Sequence, residues 1–319
     1  MMIKKNNKLF CIIGVGDHSN LKLLPALLKT GKKIVGLVSR SHTSNIRKFK
    51  RFNNIDLALK KLPKETVFLI STPPSSHFYY INILLKNKRD FIVEKPIFTH
   101  PSQVIACKKY YFCFRKIVFR EAMMYRYTLL YKKTKKFIIE NFDRIESITC
   151  DFLVPGYSKS TFRDQEEIES SPLYDIGCYI IDFFISVGTS LRNFNVIKVD
   201  TNDGRILCIY FSFMINRIQV FSKIGIGNIY VNNITVKNNE GYKVHFEPFF
   251  YGRQKRKVIK NEINDTSYVF YDNNAFIKMF KENPKLSNMS KKINYCNTLK
   301  LNKILYILKN QIKNIINVS

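Results

Sequence analysis

Leu9-Phe10-Cys11-Ile12-Ile13-Gly14-Val15-Gly16 is a β-branched and aromatic run that breaks into a glycine turn, and the pattern beyond it sets the architecture. An apolar run of this length, ended by glycine, suits a strand buried on both faces. Leu21, Leu24, Leu27 and Leu28 then recur at helical spacing, and Gly31 stands where a helix C-terminal cap belongs. A second strand is expected over Ile34 to Val38, then a polar helix from about Ser44. A third strand over Val67 to Ser71 ends at Thr72-Pro73-Pro74, a helix continues over His77 to Leu85, and a fourth strand over Phe91 to Val93. A further helix and a strand near Ile117 to Phe119 complete the unit. Strands alternating with helices in this way imply a parallel sheet covered on both faces, the doubly wound Rossmann pattern.

After about residue 121 the rhythm changes. A helix near Leu129 to Ile139 leads to a strand near Ile145 to Phe152, and a polar loop precedes a helix starting near Leu173. From Val196 to Phe246 successive strands are separated by turns at Asn202-Asp203-Gly204, Ile215-Asn216 and Asn239-Glu240-Gly241, which implies a largely antiparallel sheet. Leu301, Ile304, Leu305, Leu308, Ile312, Ile315 and Ile316 place an apolar face on a final helix. Such a basic amphipathic helix either packs on the body or lies on a membrane surface. The expected fold class is α/β: an N-terminal doubly wound Rossmann domain over 1–120, then an α+β domain with a largely antiparallel sheet over 121–319.

The formal charge of +29 would attract polyanions. Lysine is nevertheless spread along the whole chain beside Asn and Ile, as a general compositional bias would leave it, and no nucleic-acid docking module accompanies it. Neither specific nucleic acid nor a membrane is expected as a partner, because no apolar stretch approaches the ~20 residues a bilayer requires. The lysines before Leu9 resemble the start of a signal peptide, but the apolar run is brief and ends in a glycine turn rather than a cleavage site. A cytoplasmic location is the expectation. Cys11, Cys107, Cys113, Cys150, Cys178, Cys208 and Cys296 show no CxxC spacing and no histidine cluster, so neither a disulfide framework nor a metal site is expected.

Gly14-x-Gly16, after a strand and before a helix, lets the backbone turn tightly and approach a pyrophosphate, with the helix N-terminus supplying N–H groups. Ser19 replaces the usual third glycine. Between Asp17 and Asp56 there is no acid to bond a ribose 2′-hydroxyl, and the second strand ends in Ser39-Arg40-Ser41. Hydroxyls and a guanidinium fit a 2′-phosphate, so NADP(H) is expected over NAD(H). The alternative is that Arg40 is one surface base among many. Lys95, after a strand and before Pro96, brings a cation to the edge where ligands sit in such sheets. Asp175 and Tyr179 share one face if Leu173 to Phe184 is helical. A tyrosine beside a cation can exchange a proton with a carbinol or ketone; without one, the pair is a buried polar contact.

These motifs resemble the Gfo/Idh/MocA oxidoreductases across Ile12 to Leu28, Phe68 to His77, Phe91 to Phe98, Glu121 to Tyr131 and Arg163 to Phe184. The resemblance makes Lys95 of Glu94-Lys95-Pro96 the catalytic lysine, and matches Asp175, Gly177 and Tyr179 to the Asp-x-Gly-x-His/Tyr motif. Tyrosine in that motif, Arg163 twelve residues before Asp175, and Ser39-Arg40 are similar to the glucose–fructose oxidoreductase and dimeric dihydrodiol dehydrogenase branch, which uses NADP. Arg126 matches an arginine that lines the site, so Arg126, Arg163 and Asp175 are expected to meet substrate. The expected cofactor set is Gly14, Gly16, Asp17, His18, Ser39, Arg40, Thr72, Pro73, His77, Glu94 and Lys95. Departures are Ser19, Tyr127-Thr128 in place of an aromatic or His-Pro pair, and Ser170-Ser171 in place of glycines.

The implied activity is hydride transfer to or from a sugar, sugar derivative or related polyol or ketone. Tyr179 would handle the proton, Lys95 would orient substrate and favour the phenolate, and Asp175 would bind a substrate hydroxyl or hold Lys95. A homo-oligomer is implied as well. Two alternatives stand: an imine or enone reductase on the same scaffold, and a non-catalytic nucleotide- or sugar-binding sensor.

Overall fold

Strand β1 (Leu9–Ile13) is the centre of a six-stranded parallel sheet in this computed structural model. On one side it pairs with β2 (Lys33–Val38), which pairs in turn with β3 (Arg51–Phe52). On the other it pairs with β4 (Val67–Ile70), followed by β5 (Phe91–Val93) and β6 (Phe119–Glu121). The order β3-β2-β1-β4-β5-β6 is the doubly wound order, with its reversal between β1 and β4. Every residue of β4 and β5 is buried, which explains why these strands read as apolar runs rather than alternating ones. The structure describes residues 8–39, 49–112, 119–156, 167–188, 190–226, 229–253, 255–282 and 288–318.

The helices of this part are α1 (Leu24–Lys29), α2 (Ile55–Lys61), α3 (Pro74–Lys86), α4 (Pro101–Ala106) and α5 (Lys108–Phe112). One differs from expectation. Ahead of α1 the chain makes a π-type turn over Ser19–Leu23, where the Leu24 N–H bonds back to the Ser19 carbonyl. The extra residue in that turn rotates the buried face, so Leu23, Ala26 and Leu27 enter the core while Leu21 and Leu28 face solvent. The polar helix expected from about Ser44 begins outside the described residues, and the next described helix, α2, starts at Ile55. Asn54 caps it by accepting from the Leu57 N–H at 2.9 Å, and Arg51-Phe52 just before it is drawn into the sheet beside Leu37-Val38. Arg89 closes the other end of α2, donating to the carbonyls of Pro63 at 2.8 Å and Leu62 at 3.1 Å.

The second sheet has eight strands in the order β14-β13-β12-β11-β7-β10-β9-β8. They are β7 (Ile145–Val154), β8 (Leu191–Asn202), β9 (Arg205–Ile215), β10 (Ile218–Ile226), β11 (Val231–Asn238), β12 (Lys243–Glu247), β13 (Lys255–Asn261) and β14 (Thr266–Asp272). All neighbours are antiparallel except β7 with β10. The expected turns fall between β8 and β9, β9 and β10, and β11 and β12. The last two strands lie beyond the stretch that the sequence pattern marked out. Helices α6 (Leu129–Glu140) and α7 (Cys178–Val187) belong to this part. From Cys178 to Ile185 every residue of α7 is buried, so a helix that is apolar on every side but for Asp182 is a core helix here. No helix among the described residues is long and apolar enough to cross a membrane.

The chain forms two compact units. One comprises Met1–Phe98, Ile105–Met123 and Phe276–Tyr295, taking in most of α8 (Ala275–Lys281); the other comprises Thr99–Val104, Met124–Ala275 and Cys296–Ser319. Helix α9 (Asn288–Val318) carries its apolar face into the second unit's core, with Leu301, Ile304, Leu305, Leu308 and Ile312 buried. Lys309 pairs with Glu169, and the Gln311 amide bonds both Val196 and Phe194 of β8. The helix therefore packs on the body. Leu305→Ala should destabilise the protein by about 2–5 kcal/mol in urea titration. Ile307→Ala, on the exposed face, should stay within about 0.5 kcal/mol.

Candidate active site

Gly14 leaves β1 with φ of +85°, and a Cβ there would stand 2.6 Å from the Thr72 methyl and 2.9 Å from the Ser71 carbonyl group. Only glycine satisfies both the backbone and the space. Ser19, buried where the third glycine was expected, places its hydroxyl 2.8 Å from the Gly14 carbonyl and 2.8 Å from the Ser71 hydroxyl. The departure from the glycine pattern thus ties the turn to the end of β4. Gly16 differs: a Cβ there would meet nothing within 4 Å. That open ground lies in front of a helix start at Asp17, so a pyrophosphate can approach the backbone and its N–H groups. The residues present fit a dinucleotide.

At the end of β2 the Ser39 N–H donates to Phe52, while its carbonyl accepts from Arg51 Nε at 3.3 Å and Nη2 at 3.2 Å. Arg51, which sequence reasoning passed over, brings a guanidinium to this strand end because β3 pairs there. Arg40 and Arg163 lie outside the described residues.

The Lys95 turn starts as β5 ends. The Glu94 N–H bonds Ile70, and its nearly buried carboxylate lies 3.1 Å from His18 Nε2. The two atoms are close but lack the alignment of a hydrogen bond, and they form an ion pair only when the imidazole is protonated. Burial alone would raise the Glu94 carboxyl; His18, Lys95 and His77 together outweigh it and hold the pKa below 4.5. Lys95 is half-buried and precedes a cis bond to Pro96. The Ile97 N–H then donates to Glu121 at 2.8 Å. His77 was expected to meet the cofactor, and the structure gives it other work. Its ring is fully buried, with Nδ1 2.9 Å from the Pro96 carbonyl and Nε2 2.8 Å from the Thr72 carbonyl, leaving no nitrogen for a ligand. Thr72 is half-buried, and Pro73 and Asp17 are exposed.

In the second unit, Asp175 lies in a π-type turn over Leu173–Gly177, and α7 begins only at Cys178, so the pair spans a change of helix type rather than one regular helix. Both Asp175 and Tyr179 are 6% exposed. Gly177 lets this helix approach β10, since a Cβ there would stand 2.9 Å from Ile224. The Tyr179 ring is held among Tyr125 (edge-on, 5.6 Å), Phe250 (stacked, 5.8 Å) and Phe152 (6.3 Å). Fully buried Lys257 donates to the carbonyls of Pro248 and Tyr251, clasping the loop that carries Phe250; burial pushes its pKa down to about 8.

Arg126, expected to meet substrate, has both Nε and Nη2 on the buried carboxylate of Asp182, and the Tyr125 hydroxyl donates to the same group at 2.6 Å. Burial, then the Asp182 charge, raises the Tyr125 pKa well above its usual value. Asp182 was visible in sequence only as an acid interrupting an apolar run. No cluster of three or more metal-ligating side chains occurs among the described residues.

Gly14→Ala should cost about 1–3 kcal/mol of stability in urea titration. Gly16→Ala should leave stability within about 0.5 kcal/mol yet weaken NADPH binding measured by calorimetry. Because the folded Glu94 pKa lies below the ordinary 4.5, its stabilisation is present above that pH and is lost as pH falls through the folded value. Glu94→Gln should remove this part of the acid limb of the stability–pH curve.

Residues 8–111 match the Gfo/Idh/MocA family, described as an oxidoreductase family with an NAD-binding Rossmann fold. A comparison with curated proteins gave no match. Among solved structures, a tyrosine-to-phenylalanine variant of a 3-ketoreductase from Actinomadura kijaniata, in complex with TDP-benzene and NADP, aligns with a TM-score of 0.83 and 16% identity. That alignment covers 96% of this chain and 98% of the other. An aldose-aldose oxidoreductase from Caulobacter crescentus, complexed with glycerol, aligns with a TM-score of 0.75 and 12% identity over 97% of this chain and 98% of that one. A dehydrogenase from Chromobacterium violaceum aligns with a TM-score of 0.71 and 12% identity over the same shares. This chain therefore has the fold of these enzymes, and its residues 8–111 match the NAD-binding Rossmann fold of the Gfo/Idh/MocA oxidoreductase family.

Proposed function

We propose that the protein is an NADP(H)-dependent oxidoreductase that transfers a hydride to or from a carbon of a sugar or sugar derivative. The observation that carries this reading is the nucleotide turn: Gly14 packed against β4, Ser19 bracing it, and open ground at Gly16 before a helix start. The structural relatives support the substrate class, since one is a 3-ketoreductase with NADP and TDP-benzene and another an aldose-aldose oxidoreductase. That ketoreductase was also studied with a lysine and a tyrosine replaced, and the two are as far apart along its chain as Lys95 and Tyr179 are here.

Gly14, Gly16, Asp17, His18, Thr72, Pro73, Glu94 and Lys95 would hold the dinucleotide, with Ser39 and Arg40 at its 2′-phosphate; Arg51 adds a second cation at that strand end. When bound, the nicotinamide supplies or accepts the hydride. Tyr179 exchanges the proton of the substrate hydroxyl, and the rings around it hold the phenol in one orientation and limit water. Lys95 orients the substrate oxygen and favours the phenolate by its charge. Asp175 binds a neighbouring hydroxyl, with Arg126 and Arg163 as further substrate contacts. Residues 1–120 serve as the nucleotide-binding domain and 121–319 as the substrate domain of a cytoplasmic homo-oligomer.

Calorimetric titration with NADPH and NADH, on the wild type and on Arg40→Ala and Arg51→Ala, tests the cofactor. Selective loss of NADPH affinity is expected, and equal binding of both nucleotides by all three proteins refutes the preference. A screen of aldoses and TDP-linked keto sugars comes next. Tyr179→Phe should then lower kcat by about 10²–10⁴-fold while leaving NADPH affinity unchanged. Unchanged turnover would remove Tyr179 from the chemistry.

A further inference from the structure

We propose that His77 is a positioning residue for Lys95, joining the Thr72 turn to the Lys95-Pro96 turn through its two ring nitrogens. The inference rests on the catalytic role proposed for Lys95. The Lys95 turn is poor in backbone donors of its own. Pro96 has no N–H, and the Lys95 N–H faces the Glu94 carboxylate at a long 3.4 Å. The Ile97 N–H is taken by Glu121. The Pro96 carbonyl therefore finds its partner in a side chain, and His77 Nδ1 stands 2.9 Å away from the first turn of α3.

The opposite nitrogen stands 2.8 Å from the Thr72 carbonyl, beside the methyl that closes over Gly14. One fully buried ring thus joins the wall of the nucleotide turn to the peptide just after Lys95. A neutral imidazole carries one N–H and serves one of these carbonyls, while an imidazolium serves both. Burial, the largest influence, disfavours the second proton; the two carbonyls and Glu94 favour it, and Lys95 opposes it. As the imidazolium or the neutral Nδ1–H tautomer, the ring gives the Pro96 carbonyl a donor that water cannot supply at this depth, and fixes the turn on which the Lys95 side chain is mounted.

The test separates the two ends of the ring. An asparagine amide reaches the place of Nδ1 and can still donate toward Pro96; a glutamine amide reaches the place of Nε2 and can donate only toward Thr72. In the full chain, hydrogen exchange over residues 94–98 should accelerate about tenfold in His77→Gln, the loss of one hydrogen bond, and stay near wild type in His77→Asn. NADPH consumption with a TDP-linked keto sugar should fall about tenfold in His77→Gln and recover in His77→Asn. Both variants keep a buried amide, so their comparison does not rest on an apolar replacement of the ring.

Equal exchange over 94–98 in the two variants overturns the proposal. Lys95→Ala at the wild-type rate sinks the reading of Lys95 and this proposal with it. An inactive Lys95→Ala beside a fully active His77→Gln sinks this proposal alone.

Discussion

Gly14 turns out of β1 with a backbone that suits glycine, and the Ser71 carbonyl and Thr72 methyl close over the place where a Cβ would stand. That approach brings the ends of β1 and β4 together at the reversal of strand order, which is where ligands sit in open α/β sheets. The Ser19 hydroxyl bonds across the gap, and His77 carries the same edge on to the Lys95 turn. Gly16 stays open because the turn is braced from behind rather than from in front. The arrangement leaves N–H groups to face a phosphate without filling its space.

Carboxylates are scarce in this chain, 24 against 53 lysines and arginines, and three of the buried ones have a clear structural task. Glu94 is set against His18, Asp182 against Arg126 and Tyr125, and Asp272 accepts from the Leu129 and Leu130 N–H groups at the start of α6. Burying a charge is costly unless it is paired, so each of these acids sits where partners converge. Two of the three sit beside residues proposed for chemistry: Glu94 precedes Lys95, and Asp182 anchors the tyrosine whose ring meets Tyr179. The high positive charge is a property of surface composition, whereas the few buried acids organise the interior.

The parallel sheet was legible in sequence because strands buried on both faces must be apolar throughout, as Val67 to Ile70 and Phe91 to Val93 are. Gly14, Lys95 and Tyr179 could be singled out in sequence because each stands at local punctuation: a glycine turn, a strand end before proline, an acid four residues from a phenol. The π-type turns at Ser19–Leu23 and Leu173–Gly177 were not, since an inserted residue leaves no mark on composition and moves which leucines face inward. Strands β13 and β14 were missed because Lys255 to Asp272 alternates weakly and is mostly exposed.

The order of elements, the glycine turn and the residues proposed for chemistry are written in the chain itself, because each depends on neighbours within a few positions. Only the packed structure settles that Ser19 braces the turn, that Arg51 reaches the second strand's end, that His77 stands between two backbone carbonyls, and that Arg126 is held by Asp182. Those outcomes depend on which distant groups are brought within hydrogen-bond reach, and in a buried site a polar side chain goes to the partner that the packed backbone leaves unsatisfied.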